Sequence, residues 1–204
     1  DANDRLVVEK ADLNGDGTVD KTTVYAYGPC ADLDNPDDAY GGDHTAQTTK
    51  TTWESEDTDP ATGSKLSETT YTYNLQGRMS KVEIDSDADG NNDRVEEYTY
   101  DDSGIRVSKT VSIDANDDGD FADQGDTNAE KTDFLIDGQN PTDYAQVLEE
   151  KNDATGDVEK TYTLGRDVIA QHDSTNGLLF LLYDGHGSAR GLVDALGNPL
   201  DNQI

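Results

Sequence analysis

The sequence predicts an all-β protein: successive β-hairpins forming an elongated or curled sheet, with acidic loops at several hairpin tips. Three observations predict it. Short runs rich in Tyr, Thr and Val alternate in polarity, as in 66–73 and 95–100, the period-two pattern of half-buried strands. Clusters of Asp, Asn and Gly punctuate these runs, which is turn chemistry. No segment carries a helical period apart from a short turn near 143–146.

Taken in order, residues 5–27 and 78–100 are the same hairpin twice. Arg5 precedes Asp12 by the spacing at which Arg78 precedes Asp85, and Tyr25 and Tyr27 follow Asp20 as Tyr98 and Tyr100 follow Asp93. In the second copy, 79–84 and 95–100 are the strands and 85–93 the loop. Residues 106–121 begin a third copy, with one extra residue ahead of its loop. Between the first two copies, 28–43 is turn-rich and acidic. Its Asp32, Asp34, Asp37 and Asp38 read as solvated, because Pro36 breaks their spacing. Residues 45–54 alternate around Trp53, and a turn over 59–63 leads to 66–73. Farther on, 144–150 faces 158–164, and 168–172 faces 178–183, which holds the most apolar run, LLFLLY. Residues 188–194 and the segment after Asn198 suggest a last hairpin. The chain thus divides into 1–27, 28–73, 74–133 and 134–204, all within one continuous β domain.

Mean hydropathy is −0.86, and hydrophobic residues make up only 32% of the chain. Ten of its aromatics are Tyr, which predicts thin cores closed by amphipathic rings. Disorder is disfavoured by the regular strands. The formal net charge is −30, so nucleic acid and anionic membranes are excluded as partners. Three bound divalent ions would bring that charge only to −24, from −30 + 3 × 2. No apolar run is long enough to span a membrane, and the single Cys30 excludes an internal disulfide. Asn3-Asp4-Arg5 repeats Asn92-Asp93-Arg94, so the chain is expected to be cut from a longer one, and the lack of a signal peptide says little about location.

The acids are biased toward Asp, 34 against 11 Glu, and short-armed Asp suits cation loops. Asp85, Asp87, Asp89 and Asp93 stand at positions one, three, five and nine of a loop, with Gly90 at six and Asn91 offering its carbonyl at seven. Calcium takes six to eight oxygens at about 2.3–2.6 Å, and this spacing supplies most of them. Without a cation, two carboxylates about 5 Å apart repel by about 3 kcal/mol at an effective dielectric near 20. The first loop repeats the pattern with Asp12, Asn14, Asp16, Thr18 (through its carbonyl) and Asp20. The third has Asp114, Asn116, Asp118 and Asp120, with the later acids displaced to Asp123 and Asp126. The bland alternative is a solvated Asp/Gly turn. Recurrence favours Ca2+. An EF-hand is not expected, since no loop has the Glu at position twelve and the flanks are strands.

No catalytic residues are expected. Asp184, His186 and Ser188 lie too close together on one turn for triad geometry. His44 and His172, placed in acidic loops, have no nearby second nitrogen or sulfur ligand for zinc, and Cys30 has no local base. The pairs Glu96-Glu97 and Glu149-Glu150 read as solvated strand edges rather than a glycosidase couple.

Tyr71-Thr-Tyr73-Asn74-Leu-Gln-Gly77-Arg78-Met79 resembles the YD repeat, whose core is Tyr-Asp, two variable residues, Gly-Arg and an apolar residue. Tyr98-Thr-Tyr100-Asp101-Asp-Ser-Gly104-Ile105-Arg106 is a looser copy. The runs 134–150, 161–171 and 181–200, the last with Tyr183-Asp184-Gly185-His186-Gly187-Ser188, resemble the RHS repeat-associated core. The resemblance covers about residues 65–204. It implies a large secreted or surface protein in which hairpin strips spiral into a shell, often around a C-terminal toxin. The acidic loops depart from that family's short turns, and the chain is too short to enclose cargo alone.

The reading that follows is a non-enzymatic, calcium-stabilised structural scaffold, extracellular or at the cell surface. It is expected to pair with copies of itself through open sheet edges into a filament or surface layer. The alternatives are a fragment of an RHS toxin-delivery shell and a glycan-binding adhesion module using Trp53 and Tyr faces.

Overall fold

The computed structural model describes residues 5–28, 46–139, 144–165 and 167–200. Cys30, His44, the acidic stretch from Asp32 to Asp38 and the repeated triplet's Asn3 and Asp4 lie outside them. The described residues form fourteen strands and no helix, as the alternating pattern and turn clusters predict. The strands are β1 (Val8–Ala11), β2 (Lys21–Tyr27), β3 (Gln47–Glu54), β4 (Ser64–Tyr73), β5 (Met79–Asp85), β6 (Arg94–Tyr100) and β7 (Arg106–Ile113), then β8 (Thr127–Asp137), β9 (Gln146–Asn152), β10 (Val158–Leu164), β11 (Val168–Asp173), β12 (Gly177–Tyr183), β13 (Ala189–Asp194) and β14 (Pro199–Leu200). Their order in one sheet is the order of the chain, from β1 to β14. Such a meander needs only short antiparallel connections. The helical turn expected near 143–146 is not formed where it is described: Gln146 opens β9, whose Val147 and Glu149 pair with β8. His172, expected in a loop, lies on β11 opposite Leu178.

The chain divides into two compact units. The first holds residues 1–98 and 110–129. Among its described residues the buried apolar side chains are Trp53 and Val82, accompanied by Thr22, Thr23 and Thr52. Trp53 sits opposite Thr22 across the β2–β3 ladder, and the Thr22 hydroxyl donates to the Ser55 carbonyl at 2.7 Å, so a buried polar group is satisfied. Trp53 is therefore core, and the glycan reading loses it as a stacking platform.

The second unit holds residues 99–109 and 130–204. Among its described residues, Ala170, Leu179 and Leu192 are the buried apolar ones. The Tyr162 hydroxyl bonds Glu150 at 2.5 Å, and burial followed by that bond pushes its ionisation well above the ordinary tyrosine range. Of the four acids in the two pairs, Glu97 is exposed as expected, and the other three meet a cation. Glu149 pairs with Lys151 and Glu150 with Lys160. In the first unit Glu96 pairs with Arg94, and Glu97 stands opposite Lys81.

In a meander, every connection from an odd to an even strand falls at the same end of the sheet. The three acidic loops join β1 to β2, β5 to β6 and β7 to β8. All three belong to the first unit, and topology brings them to one side of it.

Candidate metal centre

Each acidic loop is built on the same hydrogen-bond frame. In the first, Asp12 at position one accepts the Gly15 N–H at 2.6 Å and the Gly17 N–H at 2.8 Å. In the second, Asp85 accepts from Ala88 and Gly90 at 2.6 and 3.2 Å. In the third, Asp114 accepts from Asp117 and Gly119, both at 2.7 Å. A carboxylate holding donors four and six along the loop curls the backbone around itself. The curl needs left-handed residues at those positions. They are Gly15, Ala88 and Asp117 at φ of 79°, 66° and 61°, and Gly17, Gly90 and Gly119 at 90°, 102° and 85°. Glycine adopts such angles without a Cβ penalty.

The last acid closes each frame by accepting the N–H of position two. Asp20 takes Leu13 at 2.7 Å, Asp93 takes Ser86 at 2.5 Å, and Asp126 takes Ala115 at 2.8 Å. Asp126, not Asp123, thus fills in the third loop the place of Asp20 and Asp93. Position five binds the N–H of position seven: Asp16 that of Thr18, Asp89 that of Asn91, Asp118 that of Asp120, at 2.7 to 2.9 Å. At position three, Asn14 and Asp87 accept the N–H of position five. Asn116 instead points its amide at Asp118 and Asp123. Asp120 turns its carboxylate to the Ala122 N–H at 3.0 Å.

These bonds set the electrostatics. The Gly17 N–H, then that of Gly15, holds Asp12 below the ordinary carboxylate range. The Thr18 hydroxyl and N–H do the same for Asp16, and the Ser86 N–H and hydroxyl for Asp93. The third loop contains the opposite case, where repulsion from Asp118 pushes Asp123 up.

Asp85, Asp87 and Asp89 bring carboxylate oxygens within 4.8 Å of one another. That is the greatest separation two oxygens can have around one ion at about 2.4 Å. The donors are hard oxygens on a curled backbone, and Asp85 is buried, so the second loop fits a calcium-sized cation. The first and third loops have an amide, Asn14 or Asn116, at position three. Asp12 is exposed, whereas Asp114 is buried like Asp85.

One acidic residue here escapes a reading of loop spacing. Asp117 belongs to the third loop, but its carboxylate faces Asp87, Asp89 and Asp93 of the second. Its Oδ1 is buried and has no hydrogen-bond partner. Burial first, then the three facing carboxylates, pushes its pKa up to about 6. The available signal was its type: position four is Gly or Ala in the other two loops.

Elsewhere, Asp184 accepts the N–H groups of His186 and Ser188 at 2.8 and 3.0 Å and the Arg190 Nε at 2.7 Å. Its carboxylate shapes the turn rather than orienting a histidine ring. The same turn, with a carbonyl accepting the N–H of a left-handed Gly three residues on, recurs at Asn74, Asp101 and Asp194.

No protein-family model matches the chain, and no curated protein matches it. Among solved structures it is similar to a chain of the Tc holotoxin pore of Photorhabdus luminescens. Identity is 12%, the TM-score is 0.32, and the match covers 88% of this chain and 11% of that one. The chain thus spans about a tenth of that neighbour's length. A likeness at this level fixes neither fold nor function.

Proposed function

We propose that the protein is a non-enzymatic β-hairpin scaffold, stiffened by calcium at its acidic loops and built to associate with copies of itself outside the cell. The observation that carries this reading is the frame shared by three loops of different sequence. In each, backbone N–H groups hold the first and last acids, and further oxygens at positions three and five stand between them. The cation would neutralise carboxylates that otherwise repel. Loops at one end of the unit would then stiffen the hairpins together. A thin apolar core makes that contribution matter.

Self-association is supported by the edges of the sheet. Among the described residues β1 and β14 each have one neighbour, and Leu6, Val7 and Val8 at the first edge are exposed. Open edges of this kind pair with other chains. Weak calcium loops fill at millimolar calcium, which favours an extracellular or cell-surface setting.

Isothermal titration with calcium chloride, followed by electron microscopy with and without chelator, tests both halves. Saturable calcium uptake and assemblies that fray on chelation are expected. Monodisperse particles indifferent to chelator would remove the scaffold reading.

A further inference from the structure

We propose that a groove across the first three strands binds a small hydroxylated carboxylate, of the chemical class of a uronic acid. The groove lies within the first unit, and its use depends neither on a cation in the acidic loops nor on assembly of copies.

The groove has a volume of about 230 Å³ and is lined by Glu9 of β1, Lys21, Thr23 and Tyr25 of β2, and Lys50 and Thr52 of β3. Strand register brings them together. Thr23 stands opposite Glu9 on one side and Thr52 on the other, and Tyr25 stands opposite Lys50. Lys21 and Tyr25 share the face of Thr23, two residues to either side. Thr23 and Thr52 are buried. Charge singles this groove out. Acids outnumber bases by 45 to 15, and Lys10, Lys65, Lys81, Lys131, Lys151 and Lys160 each pair with a carboxylate. Among the described residues Lys21 and Lys50 form no ion pair. Lys50 lies between Tyr25 and Thr69, and Lys21 makes no pair with Glu54 opposite it. Both ammonium groups can therefore give charge-assisted bonds to a carboxylate that a ligand brings. The remaining lining is hydroxyl-rich. The Tyr25 hydroxyl donates to Glu9 at 3.0 Å, and a carboxylate has about four lone-pair sites, so Glu9 can also accept from ligand hydroxyls. Size and field narrow the class. The groove is smaller than the roughly 300–1,000 Å³ that hold drug-sized ligands, and a net charge of −30 repels polyanions at range. One carboxylate on a small polyol body satisfies both conditions.

The competing account is two solvated surface lysines. The whole 204-residue chain is titrated by calorimetry with sodium glucuronate in calcium-free, low-salt buffer, beside glucose and sodium acetate. One saturable glucuronate site is expected. Glucose, which lacks the carboxylate, and acetate, which lacks the hydroxyls, should each bind about 10-fold more weakly or worse. Lys21→Gln and Lys50→Gln, both at exposed positions, should each weaken glucuronate about 10-fold without moving the urea midpoint. Lys10→Gln, which removes a lysine paired with Glu56, should leave the isotherm unchanged. No glucuronate uptake, or uptake indifferent to both groove lysines, would overturn the inference. Acetate binding as tightly as glucuronate would overturn the ligand class. Failure of calcium uptake or of assembly would remove the scaffold reading and leave this site standing.

Discussion

The Asp114 amide donates to the Asp93 carbonyl at 2.9 Å, tying the first residue of the third acidic loop to the last of the second. That bond makes neighbours of two loops that the sequence presents as separate repeats. It also places Gly119 against the Asn91 side chain, which Asn91 Nδ2 anchors to Asp89 at 2.9 Å. Gly17 holds the equivalent position in the first loop, where an added Cβ would meet nothing within 4 Å. Both glycines have φ near 90°, so Ala at either carries the left-handed penalty of about 1–2 kcal/mol. Gly119→Ala must in addition displace the tethered Asn91. It is expected to cost about 1 kcal/mol more than Gly17→Ala in urea unfolding. Equal costs would mean that the two loops do not press on each other in solution.

Position one is the organising residue of each loop. Asp85 and Asp114 are buried; Asp85 accepts two backbone N–H groups and Asp114 three. Truncating either to Ala strands these donors. A loss of about 1–3 kcal/mol is expected even in excess chelator. Asp87→Ala removes a carboxylate that accepts the Asp89 N–H at 3.1 Å. Under chelation it should be nearly neutral or stabilising, because it relieves repulsion on Asp117. Denaturant midpoints with Asp87→Ala as damaging as Asp85→Ala would contradict this division of labour.

The strands and the three loops were legible because each rests on local chemistry. Tyr, Thr and Val alternation marks the strands, and an Asp at position one with Gly at six dictates its own curl. Left-handed Ala88 and Asp117 were not legible, since neither residue type demands that backbone. Nor was the meeting of Asp117 with the second loop, which follows from strand order and not from spacing. Spacing alone left Trp53 available to the glycan alternative. Its burial opposite Thr22 depends on the β2–β3 register, and register is a tertiary property. Glu150 misled for the same reason: Lys160 and Tyr162 reach it from the adjacent strand.

In the second unit, Leu179 is fully buried on β12, whereas Leu182 on the same strand is 47% exposed. Leu179→Ala removes side-chain volume from a core with few other apolar members, and roughly 2–5 kcal/mol of stability should go with it. Leu182→Ala should change stability by less than about 1 kcal/mol. Thermal unfolding of the two variants checks the ranking, and comparable losses would show that the exposed face of β12 is covered in solution.

Acid should act through the turn carboxylates. The Arg190 guanidinium, then the Ser188 N–H, holds Asp184 below its ordinary range. The Asn198 side chain and N–H do so for Asp194, and the Asn176 N–H for Asp173. A carboxyl whose folded pKa lies below the unfolded 3.8 binds fewer protons in the folded state around that pH. Its stabilisation is therefore present above about pH 4 and lost as pH falls through the folded value. In excess chelator, the melting temperature is expected to drop steadily as pH is lowered from about 5 toward 2. Asp184→Ala should lie below the wild type at neutral pH and converge with it in acid, because protonation removes from the wild type what the substitution has already removed. Two curves that run parallel down to the acid limit would show that the Asp184 turn contributes no charge-dependent stability.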